Sequence, residues 1–414
     1  MVSAQKCPVE LPDGYDPFSG AQLIDPHPVW ELARAEMPVF RSPVLDAWVI
    51  TRNADVVAVL RDPATFGSVV SRKMFAETCP EADRLLDALP PLAETNPLAS
   101  SPPVHTKLRR YLQPSFTPRR VATLEPDVRA IADSLVDRMV PAGHADFYAA
   151  FAYRYPLLVI FRLLGMPESD QEKVKGWANQ RLALRYGKLA PQEQLVAARA
   201  QHDYHRYCTA LVAERRRDPG QDLLSWMVAD SDAGDDPLTE DQLASQVTSL
   251  LTAGHETTAH WLTLALRRLL SDRRQWEALV ADPHPTTAQL EESLRIDGPV
   301  LSLWREARTD VELGGATIRA GERVSVVLGS ANADGEVFPE PARFDPSRPN
   351  VAAHLAFGRG IHTCVGAGLA RLEGRIALEV LATRLPTLRL AAHDGFRIVP
   401  SATQRAAQRL FVEW

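Results

Sequence analysis

The strongest pattern of hydrophobic and polar positions covers residues 239–270 and predicts one long helix. Residues 239–242 read Thr-Glu-Asp-Gln, a capping box that begins a helix. Apolar residues occupy most faces at 247–251 and again at 261–266, which predicts burial. Between these runs lies the polar stretch 253–258, and polar groups inside a buried helix are costly unless they have partners. The centre of this helix is therefore a candidate functional region.

Weaker patterns predict many helices and a few short strands. Amphipathic periodicity indicates helices at residues 28–36, 55–61, 286–296 and several within 119–230. Runs of β-prone residues indicate a hairpin at 38–40 and 47–51, and short strands at 311–313, 317–318 and 323–328. Six prolines interrupt residues 67–103, which predicts an irregular segment that either packs on the core or forms a lid. The predicted fold class is mostly α with small β-sheets.

Composition and charge narrow the class of protein. With 45% hydrophobic and 24% charged residues, the 414-residue chain is typical of soluble globular proteins. A net charge of −6 and a pI of about 6.0 give no reason to expect nucleic acid. Residues 1–18 lack the basic start and apolar run of a targeting segment. The most apolar run, 155–165, is too short to span a bilayer and contains Arg162, so we expect a cytoplasmic protein without a membrane anchor.

One stretch near the C-terminal end carries the sharpest chemical signal. Residues 357–370 read FGRGIHTCVGAGLA, with four glycines around Cys364 and a helical pattern after it. A sulfur where a loop enters a helix can accept backbone N–H bonds and feels the helix dipole, and both effects favour thiolate. A thiolate below a flat, glycine-lined surface suits an axial haem ligand. The remaining cysteines, Cys7, Cys79 and Cys208, are predicted to be small apolar residues.

The spacing Phe-Gly-x-Gly-x-His-x-Cys-x-Gly-x-x-Leu-Ala resembles the haem-ligand loop of the cytochrome P450 family. The resemblance implies that Cys364 is the iron ligand of haem b (iron protoporphyrin IX) and that Phe357 packs against its sulfur. It also implies that His362 reaches a haem propionate and that Gly366 contacts the cofactor. The expected fold is the single, prism-shaped P450 domain, covering residues 1–414.

Three more residues extend the predicted cofactor site. His105 and Arg109 are four positions apart and share one helix face, which by itself is common on solvated helices. In this place the pair resembles the family's propionate-binding helix, and a guanidinium suits a carboxylate. Arg305, in the sequence Arg-Glu-Ala, matches a further propionate contact of the family.

The polar centre of the long helix has two interpretations. His255 and Glu256 begin a zinc-protease motif, but that motif requires histidine at position 259, which is alanine. His260 lies about 140° around the helix from His255, so the zinc interpretation fails on geometry. The same residues resemble the family's oxygen-binding helix. That resemblance implies room for dioxygen beside Ala253, and proton delivery by Glu256 and Thr257.

Further motifs complete the predicted set. Glu292 and Arg295 match the family's structural Glu-x-x-Arg motif, for which Arg343 is the expected third partner. Arg181, Arg185, Tyr186 and Lys188 cluster at one junction and are interpreted as a solvated helix end rather than a substrate entrance. The predicted substrate pocket, mainly apolar, consists of Leu250, Ala253, Val300, Leu301, Leu303 and Thr403.

The predicted function is that of a haem-thiolate monooxygenase that uses dioxygen to oxidise a mainly apolar small molecule. A specialised-metabolite intermediate is the first expectation, and a fatty acid or terpene the second. Electrons are expected from a 2Fe–2S or other iron–sulfur ferredoxin and its flavin reductase. The candidate docking residues are Lys107, Arg110, Arg359 and Arg371. The alternatives are a peroxide-driven peroxygenase and a non-catalytic haem-binding sensor, neither of which requires the Glu256–Thr257 pair.

Overall fold

The structure is a computed structural model that describes residues 14–69, 72, 78–187 and 189–414. As predicted, it is mostly helical with small sheets. The α-helices are α1 (Gly20–Ile24), α2 (His27–Glu36), α3 (Asn53–Arg61), α4 (Pro80–Asp87), α5 (Leu92–Thr95), α6 (Val104–Leu112), α7 (Pro118–Thr123), α8 (Glu125–Met139), α9 (Arg154–Leu163), α10 (Gln171–Tyr186), α11 (Pro191–Arg217), α12 (Leu223–Asp232), α13 (Glu240–Ser271), α14 (Arg273–Ala281), α15 (Thr287–Asp297), α16 (Leu328–Asn332) and α17 (Ala367–Arg384). The strands are β1 (Val39–Ser42), β2 (Ala47–Ile50), β3 (Phe66–Ser68), β4 (His144–Asp146), β5 (Ser302–Ala307), β6 (Val311–Leu313), β7 (Ala316–Ile318), β8 (Arg323–Val327), β9 (Arg389–Leu390), β10 (Arg397–Val399), β11 (Ala406–Arg409) and β12 (Phe411–Glu413).

The contacts divide the chain into two compact units. The first unit comprises the described residues of Met1–Val69, Glu291–Thr363 and Pro400–Arg405. The second unit comprises those of Val70–Leu290, Cys364–Val399 and Ala406–Trp414. The single domain expected over residues 1–414 stays a prediction.

The first unit is built on a five-stranded sheet in the order β1-β2-β8-β5-β3. β1 and β2 form the predicted antiparallel hairpin, and β2 pairs in parallel with β8, where Trp48 lies opposite Val324. Buried side chains of the sheet, such as Ile50, Val324 and Val326, form its core with apolar residues of α3. The edge strand β3 pairs with β5 and sets Ser68 opposite Arg305. The sheet therefore supports the strand that carries a predicted propionate contact.

The second unit is helical around α13, the helix predicted from the hydrophobic pattern. The Thr239 hydroxyl accepts the Gln242 N–H at 3.2 Å, and the Gln242 side chain accepts the Thr239 N–H at 3.0 Å. This reciprocal capping box satisfies two backbone donors at the helix start. Along α13 the apolar positions are buried, including Val247, Leu251 and Trp261, and the helix packs against α9 and α11. The helix centre is thus held within a packed surround.

Most predicted elements agree with the structure, with one difference inside residues 67–103. This proline-rich segment contains the short helices α4 and α5, because Pro80 occupies the first helical position, where a missing N–H costs nothing. In the part of the chain described, none of the helices has the length and apolar character that crossing a membrane requires.

Candidate active site

Cys364 lies three residues before α17, as the sequence predicted for a cysteine at a loop-to-helix junction. The loop that leads to it contains a 3-10 turn at Gly360–His362, closed by the Thr363 N–H bonding to the Gly360 carbonyl at 3.1 Å. Gly360 has a φ of +76°, and a Cβ there would collide with the Leu60 carbonyl oxygen. Only glycine fits that position without a backbone shift. Gly360 therefore fixes the path of the loop that leads to Cys364.

The electrostatics of Cys364 differ in part from the sequence expectation. Burial by surrounding protein atoms raises the pKa of the thiol above its ordinary value, although the side chain reaches solvent. The Gly366 N–H on the sulfur and the charges of Arg109 and Arg371 lower the pKa and offset only part of that effect. The expected backbone N–H bond to the sulfur is present, but the expectation of a lowered pKa was wrong for the free Cys364 thiol. Desolvation outweighs one hydrogen bond and two partly buried cations.

His105 and Arg109 share one face of α6 in the second unit. His105 is buried, and its pKa is lowered by burial and by the nearby positive charge of Arg109. Burial also lowers the pKa of Arg109, while the Cys364 sulfur acts in the opposite direction. An arginine electrostatically coupled to the thiol is a fitting donor for an anionic group near that sulfur.

Arg305 is the predicted propionate contact on β5 of the first unit. It is 5% exposed, and burial lowers its pKa to about 10, so it stays charged at neutral pH. One terminal nitrogen donates to the Trp304 carbonyl at 2.8 Å, and no carboxylate pairs with the guanidinium among the described residues. A buried cation without an acid partner is costly. Arg305 therefore fits a haem propionate, which would supply the missing acid partner.

The other two loop residues lie in the first unit. Phe357 is half-buried, with its ring centroid 6.1 Å from that of His354. His362 is also half-buried at the end of the 3-10 turn. Their contacts to sulfur and propionate stay predictions.

The centre of α13 presents small and hydroxyl groups on one side. Ala253 is exposed and Thr257, one turn later, is half-exposed. The Thr257 hydroxyl donates to the Ala253 carbonyl at 2.8 Å, which fixes its orientation along the helix. The adjacent Thr258 is buried, because successive residues turn about 100° around the helix. Thr257 is therefore the hydroxyl that a small molecule above this side of α13 would meet.

Glu256 points away from Thr257 into a buried polar cluster of the second unit. Its carboxyl oxygens lie 3.9 Å from His255 Nε2 and 4.0 Å from His260 Nε2. Each imidazole donates from Nδ1 to a carbonyl, of Leu251 for His255 and of Ala407 for His260. Burial lowers the pKa of both histidines to about 4, so they are neutral.

The same burial raises the pKa of Glu256 to about 7. Its carboxyl group exchanges a proton near neutral pH, which suits an acid that gives and takes protons. The sequence predicts that Glu256 and Thr257 act as one proton-delivering pair. The structure instead puts them on different sides of α13, so water would have to connect them.

The Glu292 network in the first unit has a different third member from the one predicted. Glu292 is fully buried and accepts from Arg295 Nε at 2.7 Å and Nη2 at 2.8 Å. Arg348 Nε donates to the same carboxylate at 3.0 Å. The prediction of Arg343 as third partner was wrong, because its guanidinium pairs with the exposed Glu340 at 3.3 Å. Only the Arg343 backbone carbonyl joins the network, accepting from Arg295 and Arg348.

The predicted pocket residues fall in both units. In the first unit, the Leu301 N–H donates to the Thr403 carbonyl at 2.8 Å, so the segment at 400–405 turns back on residues 299–302 as expected. Val300 and Leu303 are partly buried against the sheet core. In the second unit, Leu250 is buried on α13, three residues before the exposed Ala253. Pocket roles for these residues stay predictions.

One interpretation from the sequence was wrong. Arg181 and Arg185 are 8% and 6% exposed, so they do not form a solvated helix end. Lys188 and the side chain of Tyr186 lie outside the described residues. The signal that could have found this was the spacing of four, which puts both arginines on one side of α10.

Comparison with known proteins agrees with these observations. Residues 48–385 match the cytochrome P450 family. The chain is 38% identical to the cytochrome P450 monooxygenase PikC of Streptomyces venezuelae, over 94% of this chain and 91% of that protein. It is 38% identical to nocardicin C N-oxygenase of Nocardia uniformis subsp. tsuyamanensis, over 91% of this chain and 92% of that protein.

A solved structure of cytochrome P450 CREJ with (4-ethylphenyl) dihydrogen phosphate superposes with a TM-score of 0.90 at 32% identity. The superposition covers 97% of this chain and 99% of CREJ. A family match over most of the chain, relatives of this identity and a shared fold all agree. The chain belongs to the cytochrome P450 family and is a haem-dependent monooxygenase.

Proposed function

We propose that Cys364 is the thiolate ligand of the haem iron. The observation that carries the proposal is the position of its sulfur, which lies just before α17, bonds the Gly366 N–H and lies near the charges of Arg109 and Arg371. Metal coordination deprotonates a thiol whatever its free pKa, so the raised pKa does not oppose this role. When bound, a thiolate-ligated haem activates dioxygen and supplies one oxygen atom to the substrate.

Four residues predicted from the sequence are proposed to bind the propionates. His105 and Arg109 would bind them from α6, and Arg305 and His362 from the first unit. Arg305 gives the clearest support, because a propionate would neutralise a buried charge that has no acid partner among the described residues. Charge-assisted hydrogen bonds of this kind are stronger than neutral ones.

The residues of α13 would deliver protons to the reacting oxygen. Thr257 would hold a water molecule with its hydroxyl, and Glu256, with a pKa near 7, would resupply the proton from the other side of the helix. This pair favours the dioxygen-driven reaction over peroxide-driven turnover and over a non-catalytic sensor, since neither alternative needs a proton supply of this kind.

The substrate is proposed to be a specialised-metabolite intermediate with a mainly apolar body. Nocardicin C N-oxygenase, 38% identical to this chain, acts by its name on nocardicin C. The exposed Ala253 leaves space beside α13, and Leu250 contributes apolar surface. A fatty acid or terpene is the second candidate.

Electrons are proposed to come from an iron–sulfur ferredoxin and its flavin reductase. Of the expected docking residues, Lys107 pairs with Asp236 at 2.6 Å and Arg110 bonds the Asp236 carbonyl at 3.4 Å, so both are partly engaged. Arg371, whose charge acts on Cys364, is a further candidate in the second unit. A cytoplasmic location, expected from the sequence, is part of the proposal.

The test of the ligand is the spectrum of the reduced carbon-monoxide complex. Wild-type protein should show the strongly red-shifted band that a thiolate ligand produces, and Cys364→His should lose this band while retaining haem. Cys208→Ser, at a buried cysteine of α11, is the matched control and should keep the band. A thiolate band that persists in Cys364→His would refute the assignment.

A further inference from the structure

A second feature of the helical unit is a small cavity with an unusually cationic lining. Its empty volume is about 340 Å³, including the part open to solvent. None of the pocket residues predicted from the sequence lines it. The lining residues are Arg72, Leu89, Pro90, Leu92, Thr95, Arg181, Gln201, His205, Ser245 and Thr248.

Arg181, on α10, is the central observation. Its side chain is 92% buried, since only 8% is exposed, and it lines the cavity. Its Nε atom has no hydrogen-bond partner, and no carboxylate pairs with it among the described residues. A guanidinium is normally buried only with hydrogen bonds and a counter-charge. The folded protein therefore leaves this donor available for something that enters the cavity.

Two further arginines reinforce the positive potential. Arg72 also lines the cavity, where it donates to the Pro90 carbonyl at 2.5 Å. Arg185 lies one turn beyond Arg181 and acts on both of the other arginines. Burial and these like charges lower the pKa of Arg181 to about 9 and of Arg72 to about 10, so both stay charged at neutral pH.

The acidic groups nearby leave this charge uncompensated. Asp87 acts on Arg72 and raises its pKa, but burial and Arg185 outweigh it. Asp241 pairs with His205 at 3.1 Å on the cavity lining. Neither carboxylate is among the groups that act on the pKa of Arg181.

The rest of the lining can bind an anion as well. Gln201 is buried, and its Nε2 donor has no partner within the described part of the chain. The hydroxyl of Thr248 donates to the Ala244 carbonyl, so it is not the group that would donate to an anion. Leu89 and Leu92 supply an apolar wall beside these groups. The lining thus combines two cations, an amide donor and an apolar flank.

The position of the cavity along α13 connects it with the reaction site. Ser245 and Ala253 are eight residues apart on α13, which sets them about 80° apart around the helix. Ser245 lines the cavity, and Ala253 lies about 12 Å further along at 1.5 Å per residue. A ligand anchored in the cavity would reach the exposed Ala253 by displacing the buried Asn96–Ser249 pair, whose Nδ2 and Oγ atoms are 2.7 Å apart.

We propose that this cavity binds a carboxylate or phosphate group of the substrate and so selects an amphiphilic anion. The inference rests on the proposed function and specifies its substrate class: an apolar body that carries an anionic group on the order of 12 Å from the atom oxidised. The apolar-substrate expectation then describes only the body of the molecule.

The experiment compares three probes of one chain length on the haem-loaded enzyme in phosphate-free buffer. Dodecanoic acid, dodecyl phosphate and dodecanol are titrated by calorimetry and by displacement of the haem-bound water. The acid or the phosphate ester should bind more tightly than the alcohol. In Arg181→Met, binding of the anionic probe should weaken by roughly tenfold to a hundredfold, the loss expected for a charge-assisted hydrogen bond. Dodecanol binding should not change.

Two controls make the result specific. Arg199→Met removes an exposed arginine of α11 and should alter no titration. Arg181→Lys should recover part of the anion affinity. The melting temperature of ligand-free Arg181→Met should be unchanged or higher, because a buried unpaired charge is removed; a fall would mean that Arg181 is structural and would overturn the proposal.

Equal affinities of the alcohol and the anions in wild-type protein would also overturn it. So would an equal loss of all three probes in Arg181→Met. Preference for the acid identifies a carboxylate substrate, and preference for the ester a phosphate; either supports the inference. The calorimetric result does not depend on oxygen chemistry, so a failure of the monooxygenase assay would refute the proposed function separately.

Discussion

Replacement of Glu292 by glutamine should destabilise the first unit strongly. The carboxylate is fully buried and accepts four hydrogen bonds: two from Arg295, one from Arg348 and one from the Asp345 N–H at 2.9 Å. Glu292→Gln keeps the shape of the side chain but removes the charge. Two buried guanidinium groups would then share a neutral amide.

The loss of unfolding free energy in Glu292→Gln depends on the two guanidinium groups that stay buried, those of Arg295 and Arg348. Removal of one partner from a buried ion pair costs about 3–5 kcal/mol, because the opposite charge stays buried. Since the amide oxygen still accepts one bond, we expect the lower end, about 3 kcal/mol. Against a total stability of about 5–15 kcal/mol, that is a large fraction. In urea unfolding followed by far-ultraviolet circular dichroism, Glu292→Gln should unfold at a lower urea concentration than the wild-type protein.

The chain contains a matched control for this experiment. Glu340 and Arg343 form the same i,i+3 pair, but their side chains are 75% and 63% exposed. Exposed pairs contribute little, so Glu340→Gln should unfold at the wild-type midpoint within error. An equal shift in both variants, or less than about 1 kcal/mol in Glu292→Gln, would refute the argument from burial.

The network also predicts a dependence on pH. Burial alone would raise the pKa of Glu292, but the hydrogen bonds from Arg295, the Asp345 N–H and Arg348 outweigh it and hold the pKa below its ordinary value. At low pH the unfolded chain binds this proton more readily than the folded chain does. The stabilisation is therefore present above the carboxyl's ordinary pKa and is lost as pH falls through the folded value. The difference in stability between wild type and Glu292→Gln should shrink as pH falls through this window.

Three further predictions concern the reaction itself. Thr257→Ala should keep normal haem spectra but divert NAD(P)H consumption to hydrogen peroxide, whereas the buried Thr258→Ala should stay coupled; equal uncoupling would exclude a specific proton role. Arg109→Ala should lower haem occupancy, measured by the ratio of haem to protein absorbance, since a buried propionate would lose a charged partner. Arg371→Glu should slow ferredoxin-dependent reduction at low salt and less so at about 0.1 M, where charges are screened over roughly 10 Å; unchanged rates would exclude this docking site.

Short patterns of neighbouring residues were enough to predict several helices and strands and the protein's functional class. The fourteen-residue pattern around Cys364 needs only neighbouring residues in fixed order, so the loop-to-helix junction at Cys364 could be predicted from it. The period of apolar residues likewise predicted α13, and the β-prone runs predicted the β1–β2 hairpin, because both depend on short-range geometry. The haem-dependent monooxygenase class followed from these short patterns through their resemblance to a family.

Tertiary structure decided what depends on distance through space. Arg348, rather than Arg343, binds Glu292, and no spacing along the chain distinguishes the two arginines. Burial set the raised pKa values of Cys364 and Glu256, because desolvation depends on every atom packed around a group. In the same way, Arg181 reads as a surface residue in the sequence and becomes a buried cation only when α10 and α11 pack together. Sequence order specifies which groups are available, whereas packing decides which charges lose their water and must find a partner.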